Sequence, residues 1–223
     1  MTSLRLRLVL AAFAIAASVS LAACSEDATS EESSGDASTS GGVTSATELG
    51  ASGTLFQPPP SAAGFTLTGE DGQPVSLSDF RGEVVALYFG YTHCPDVCPL
   101  TLGTYKAALD RLPAEIAEQV NVVMISVDPE RDTPEVLGRY MNLFNERFMG
   151  VTGAVEEIDA VLASWDIQIT RGTPDDIGAY EVDHPAASWI IDQEGRLRVK
   201  VAHMTGTDAL AADLKSIVEE GTE

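Results

Sequence analysis

From Gly64 to the C-terminus the hydrophobic and polar positions change period from stretch to stretch, and each change marks an element. "GFTLTGEDGQPVSLSDFRG" divides into two short strand-like pieces around Glu70, Asp71 and Gly72, the signal of a hairpin. "EVVALYFGY" is a continuous apolar run of strand length, as expected of a central strand covered on both faces, and "QVNVVMISV" is a second. Between them, from about residue 99 to 112, Leu100, Leu102, Ala107, Ala108, Leu109 and Leu112 recur with helical spacing until Pro113 ends the run. "DTPEVLGRYMNLF" predicts a helix with Asp132 or Thr133 as N-cap and Pro134 near its first position. After a short "FMGVTG" segment comes a helix over about residues 154–165. "AYEVDH" and "ASWIID" predict strands, "QEGR" a turn, "LRVKVA" an alternating edge strand, and "TDALAADLKSIVEE" a closing helix capped by Thr207 or Asp208.

The order is βαβα, then α, then ββα. It predicts an α/β domain with parallel strands joined by helices and an antiparallel hairpin finishing the sheet. That is the layout of a thioredoxin-like three-layer α/β/α domain with an N-terminal hairpin. Periodicity supports α/β, and the thioredoxin label rests on where the cysteines fall.

Upstream the pattern is different. Residues 1–24 place Arg5 and Arg7 ahead of an unbroken run of apolar or small residues ending in "LAAC" at Cys24, the pattern of a secretory signal. "LAAC" resembles the lipobox of bacterial lipoproteins, which implies a lipidated Cys24 as the mature N-terminus. Residues 25–55 contain six acidic residues, no Lys or Arg, and mainly Ser, Thr, Gly and Ala, a composition that predicts a flexible tether. Residues 56–223 are then expected to form one folded domain. The chain is thus expected on the extracytoplasmic face of a bacterial cell membrane.

The formal net charge of −21 argues against a nucleic-acid partner, for which a basic patch is the expected footprint. Export implies an oxidising compartment, and the cysteines are read in that setting. Cys94 and Cys98 stand where the first long strand gives way to a helix, the place where open α/β sheets build their sites. The helix N-terminus favours a thiolate there, and Asp96 between the two opposes it. Three readings compete for the pair. A disulfide closing so short a loop contributes roughly 2 kcal/mol in the loop-entropy model, little for a staple. A redox couple would depart from the C-x-x-C spacing by one residue. A metal clamp is served by two thiolates at i and i+4 on one helix face, which suit Cu(I) and zinc.

A clamp needs a further donor, and the chain has three histidines. His93 is expected at the surface and His203 in an exposed loop. His184, in "VDHPAASWIID", opens the loop between two C-terminal strands, which in a thioredoxin-like fold lies against the cysteine turn. Asp183 beside it is a candidate to tune the ring from outside the ligand set.

"GYTHCPDVCP", "SVDPERDTP" and "VDHPAASWIID", in that order, resemble the three signature segments of the Sco/SenC family, copper proteins of cytochrome c oxidase assembly. The resemblance spans about residues 65–218. It implies one copper ion, Cu(I) or Cu(II), held by Cys94, Cys98 and His184. It implies as partners an upstream copper donor and the dinuclear copper site of oxidase subunit II or a similar copper enzyme. The role is then binding and delivery rather than catalysis. The competing expectation is a membrane-tethered thiol-disulfide oxidoreductase that uses Cys94 and Cys98 to reduce an exported target. The sequence departs from the family at Pro185, where a small polar residue is usual. "DPERDTP" itself is read as a loop and helix cap.

Overall fold

The computed structural model describes residues 49–221. The expected leader, Cys24 and most of the expected tether lie outside the described residues. The end of that tether, however, belongs to the fold: Gly53–Leu55 form strand β1 at one edge of the main sheet. The domain therefore begins ahead of the boundary expected at Phe56. The cause is tertiary. Asp213, fully buried in the closing helix, accepts the backbone N–H groups of Gly50, Ala51 and Ser52 at 2.8–3.2 Å and the Ser52 hydroxyl at 2.5 Å.

The predicted elements come in the predicted order, with a single helical turn at Ala114–Ala117 and a two-residue strand at Thr170–Arg171 added to them. Strands β2 (Thr66–Thr68) and β3 (Pro74–Ser76) make the hairpin, and a 3-10 turn (Leu77–Phe80) leads to β4 (Val84–Gly90). Then come α1 (Val97–Leu109), the single turn α2 (Ala114–Ala117), β5 (Val120–Ser126), α3 (Pro134–Met141), β6 (Met149–Val151) and α4 (Val155–Ser164). A two-stranded ribbon, β7 (Thr170–Arg171) with β8 (Val182–Asp183), precedes β9 (Ser188–Ile191), β10 (Leu197–Val201) and α5 (Thr207–Glu220). The strand expected over "AYEVDH" is thus only Val182–Asp183, because it finds just two residues of partner.

The main sheet runs β1-β10-β9-β4-β5-β6, parallel across β4, β5 and β6 and antiparallel across β4, β9, β10 and β1. All of β4 is buried, as its unbroken apolar run requires. Its alternate residues serve different layers. Tyr88 faces α1, whereas Phe89 meets Trp165 at the end of α4 and Trp189 of β9 edge-on on the other side. Helices α1 and α5 pack against each other. This is the thioredoxin-like three-layer arrangement.

One helix cap falls within expectation and one differs from it. Of Asp132 and Thr133 it is Thr133 that caps α3, its hydroxyl accepting the Val136 N–H at 3.3 Å with Pro134 following. Asp132 has turned inward. Helix α5 starts one position early, with Gly206 at the N-cap and Thr207 already helical. One row of the sheet aligns Gly53, Val201, Ser188 and Tyr88 across four neighbouring strands. No helix among the described residues is long and apolar enough to cross a membrane.

Candidate metal centre

Strand β4 ends at Gly90, and the chain turns through Tyr91 and Cys94 into α1, so both cysteines sit at the carboxyl end of a central strand. Gly90 is required there. A Cβ at this position would lie 2.6 Å from Tyr88 Cε1 and 3.0 Å from Cys98 Sγ, so glycine is what lets the sulfur approach the strand. Cys98, in the first turn of α1, is fully buried, while Cys94, in the preceding loop, is partly exposed; both are free thiols. Asp96 holds the N-cap position of α1 without a side-chain capping bond. Cys94 Sγ instead accepts the Cys98 N–H at 3.5 Å, which places that sulfur on the positive end of the helix.

The third donor arrives from the far end of the chain. The β7–β8 ribbon delivers His184 so that its Nε2 lies 3.5 Å from Cys98 Sγ. Nδ1 lies 3.1 Å from the Pro185 carbonyl oxygen, which can only accept, so Nδ1 carries the proton and the Nε2 lone pair faces the sulfurs. Pro185, the departure from the family pattern, thereby helps to orient the ring, and the peptide bond before it is trans. The rings of Tyr88 and Tyr91 meet His184 edge-on at 6.0 and 5.7 Å. The two sulfurs and one imidazole nitrogen all lie within 4.8 Å of one another.

Burial governs the electrostatics. It pushes the Cys98 thiol up to about 12, against hydrogen bonds from the Tyr88 hydroxyl (3.4 Å) and the Tyr91 N–H that favour the thiolate. The thiolate-favouring helix end expected from sequence is therefore outweighed at Cys98 by loss of solvent. Burial also holds His184 below its ordinary value, while the Pro185 carbonyl, the Asp183 charge and the Phe89 carbonyl pull the other way. A neutral ring with a free Nε2 is the form that ligates metal. Asp183 is exposed on β8 and acts on the ring through its charge, while the Nδ1 hydrogen bond goes to the Pro185 carbonyl.

His93 and His203 are exposed, as read. Sequence reasoning missed Asp132. It is fully buried and accepts from the Thr92 N–H (3.1 Å), the Thr92 hydroxyl (2.6 Å) and the Ser126 hydroxyl (2.7 Å), pinning the cysteine loop to the end of β5. His93, Asp128 and Asp132 form a second compact group. Their oxygens are already engaged by Thr92, Ser126, Arg131 and Tyr180, so the group reads as scaffold.

The donor set of two sulfurs and an imidazole suits a soft or borderline ion. Similar proteins are known. The SCO1/SenC family profile matches residues 55–219. The mouse mitochondrial protein SCO2 homolog is 37% identical over 132 residues, 59% of this chain and 52% of that protein. The chain thus matches about half the length of that relative. Copper-bound ScoI of Bradyrhizobium japonicum superposes with a TM-score of 0.64 at 34% identity, covering 70% of this chain and 99% of that one. Apo Sco1 of Thermus thermophilus gives a TM-score of 0.67 at 39% identity, covering 74% and 95%. A family profile spanning nearly the whole described domain, and two solved neighbours of the same fold, agree: the chain belongs to the SCO1/SenC family.

Proposed function

We propose that this protein takes up one copper ion through Cys94, Cys98 and His184 and hands it on during assembly of the dinuclear copper site of a terminal oxidase. The observation that carries the reading is the convergence of two unoxidised sulfurs and an imidazole turned with Nε2 toward them. The copper-bound ScoI relative supports the choice of ion. Cys94, the more exposed sulfur, meets the incoming ion first. Cys98 must then give up its proton, and His184 Nε2 completes the set. A protonated Cys98 keeps negative charge out of the interior until the ion arrives to neutralise it. A donor loads the site from outside, and the lipidated N-terminus expected at Cys24 keeps the domain at the extracytoplasmic membrane surface, near oxidase subunit II.

The test is copper titration of the reduced full-length chain against a competing chelator, with thiol accessibility followed in parallel. One-to-one binding that protects both thiols, and an affinity at least about tenfold weaker in His184→Ala, are expected. Equal affinity in that variant overturns the three-donor site. A second reading draws on the unequal exposure of the cysteines: Cys94 attacks a target disulfide and Cys98 resolves the mixed disulfide, so the target gains two electrons and two protons as Cys94 and Cys98 become a disulfide. It predicts that His184→Ala still reduces its target.

A further inference from the structure

His184 reaches the sulfurs only because the small β7–β8 ribbon is held against the main domain, and the contacts that hold it are specific. Arg171 donates from Nε to the Val127 carbonyl at 3.2 Å and pairs through Nη2 with Asp159 at 2.9 Å. The buried Val182 N–H donates to the Tyr91 hydroxyl at 3.3 Å. The tightest junction lies in the "DPERD" turn after β5. The Tyr180 hydroxyl donates to Asp128 Oδ1 at 2.5 Å, and the fully buried Asp128 also binds Arg131 Nε. The Arg131 guanidinium then lies over the Tyr180 ring, 3.5 Å from its centre, and 5.8 Å from the centre of the Tyr91 ring. Tyr91 in turn meets His184 edge-on. A stack Tyr180, Arg131, Tyr91, His184 thus runs from the residues leading into β8 to the ligand.

This is more than a loop and helix cap. Asp128 is a buried carboxylate that earns its place by pairing with one cation and one hydroxyl from the ribbon, and cation–π contact of a desolvated guanidinium contributes on the scale of a good hydrogen bond. Ribbons of two residues per strand have no stability of their own. Their position is set by whatever they dock against. We propose that Asp128, Arg131 and Tyr180 form a latch that positions His184, so that the closed latch presents a three-donor site and an open one leaves the two thiols alone. They are positioning residues, and the latch gives the protein a way to change its grip on the ion without touching the sulfurs. The inference rests on the copper reading above for its consequence, but not for the latch itself.

The experiment therefore has two arms. In the copper-free chain, amide hydrogen exchange is compared for wild type, Tyr180→Phe, which keeps the ring and removes the bond to Asp128, and Arg131→Lys, which keeps the charge and removes the planar stack. The Gly172 and Val182 amides, which pair within and beneath the ribbon, are expected to exchange about tenfold faster in both variants while those of β4 and β5 are unchanged. Unchanged exchange at both amides in both variants overturns the latch. In the second arm, copper affinity of Tyr180→Phe is expected to fall about tenfold in the wild-type background and not at all on top of His184→Ala, with altered nitrogen coupling in the Cu(II) electron paramagnetic resonance spectrum. An equal loss in both backgrounds overturns the positioning role. If His184→Ala binds copper as wild type does, the three-donor reading fails instead, and the exchange arm alone decides the latch.

Discussion

At the scale of single residues, His184 shows how burial and bonding divide the work. Burial lowers its proton affinity, and the Pro185 carbonyl selects which nitrogen faces the sulfurs. The same shift makes stability depend on pH with a definite sign. The unfolded chain protonates this ring near an ordinary value of about 6.5, and the folded chain only at lower pH. Between the two the unfolded state binds more protons, so the folded state loses stability as pH falls from about 6.5. His184→Gln removes this term. Urea midpoints of the copper-free chain at pH 7.5 and 5 should fall further for wild type than for His184→Gln; an equal fall in both contradicts the assignment, since His93 and His203 remain in each.

At the scale of elements, the turn after β5 organises the site from behind. Asp132 ties Thr92 to Ser126, and through Thr92 it fixes the loop that ends at Cys94. Asp132→Ala strands an amide and two hydroxyl donors, and each donor left unpaired in a buried place costs about 1–3 kcal/mol. Denaturant unfolding should report a loss of at least about 2 kcal/mol, with faster alkylation of Cys94. A change within about 0.5 kcal/mol would mean the loop is held by other contacts. None of this was legible in sequence. An aspartate before Thr-Pro reads as a helix cap, and its true partner Thr92 lies 40 residues away. Strands β4 and β5 and helix α1 were legible because their burial is continuous or periodic along the chain itself. The two cysteines and His184 were legible because strand-to-helix turns and family signatures are local patterns, whereas the Tyr180 to Asp128 bond joins segments 52 residues apart.

At the scale of the whole molecule, the fold closes by clamping its own entry. Strand β1 is three residues, Gly-Thr-Leu, with no apolar rhythm, so nothing in its composition separated it from the preceding polar stretch. Asp213 supplies what the composition lacks by accepting from Gly50, Ala51 and Ser52. Asp213→Asn keeps the size but replaces one accepting oxygen with a donor, and bonds to a charged acceptor contribute about 1.5–3 kcal/mol each. Limited proteolysis should then cut near residues 49–55 well before the rest of the domain is attacked; unchanged cleavage would show that β1 pairing with β10 suffices. The aligned row from Gly53 to Tyr88 has a directional meaning. Three strand spacings of about 4.8 Å separate the chain's entry from the tyrosine that touches Cys98, and both lie at the same pole of the sheet. The chain therefore enters the described domain at the end of the sheet that carries Cys98, so whatever precedes residue 49 is joined on the side of the three-donor cluster and not on the opposite side.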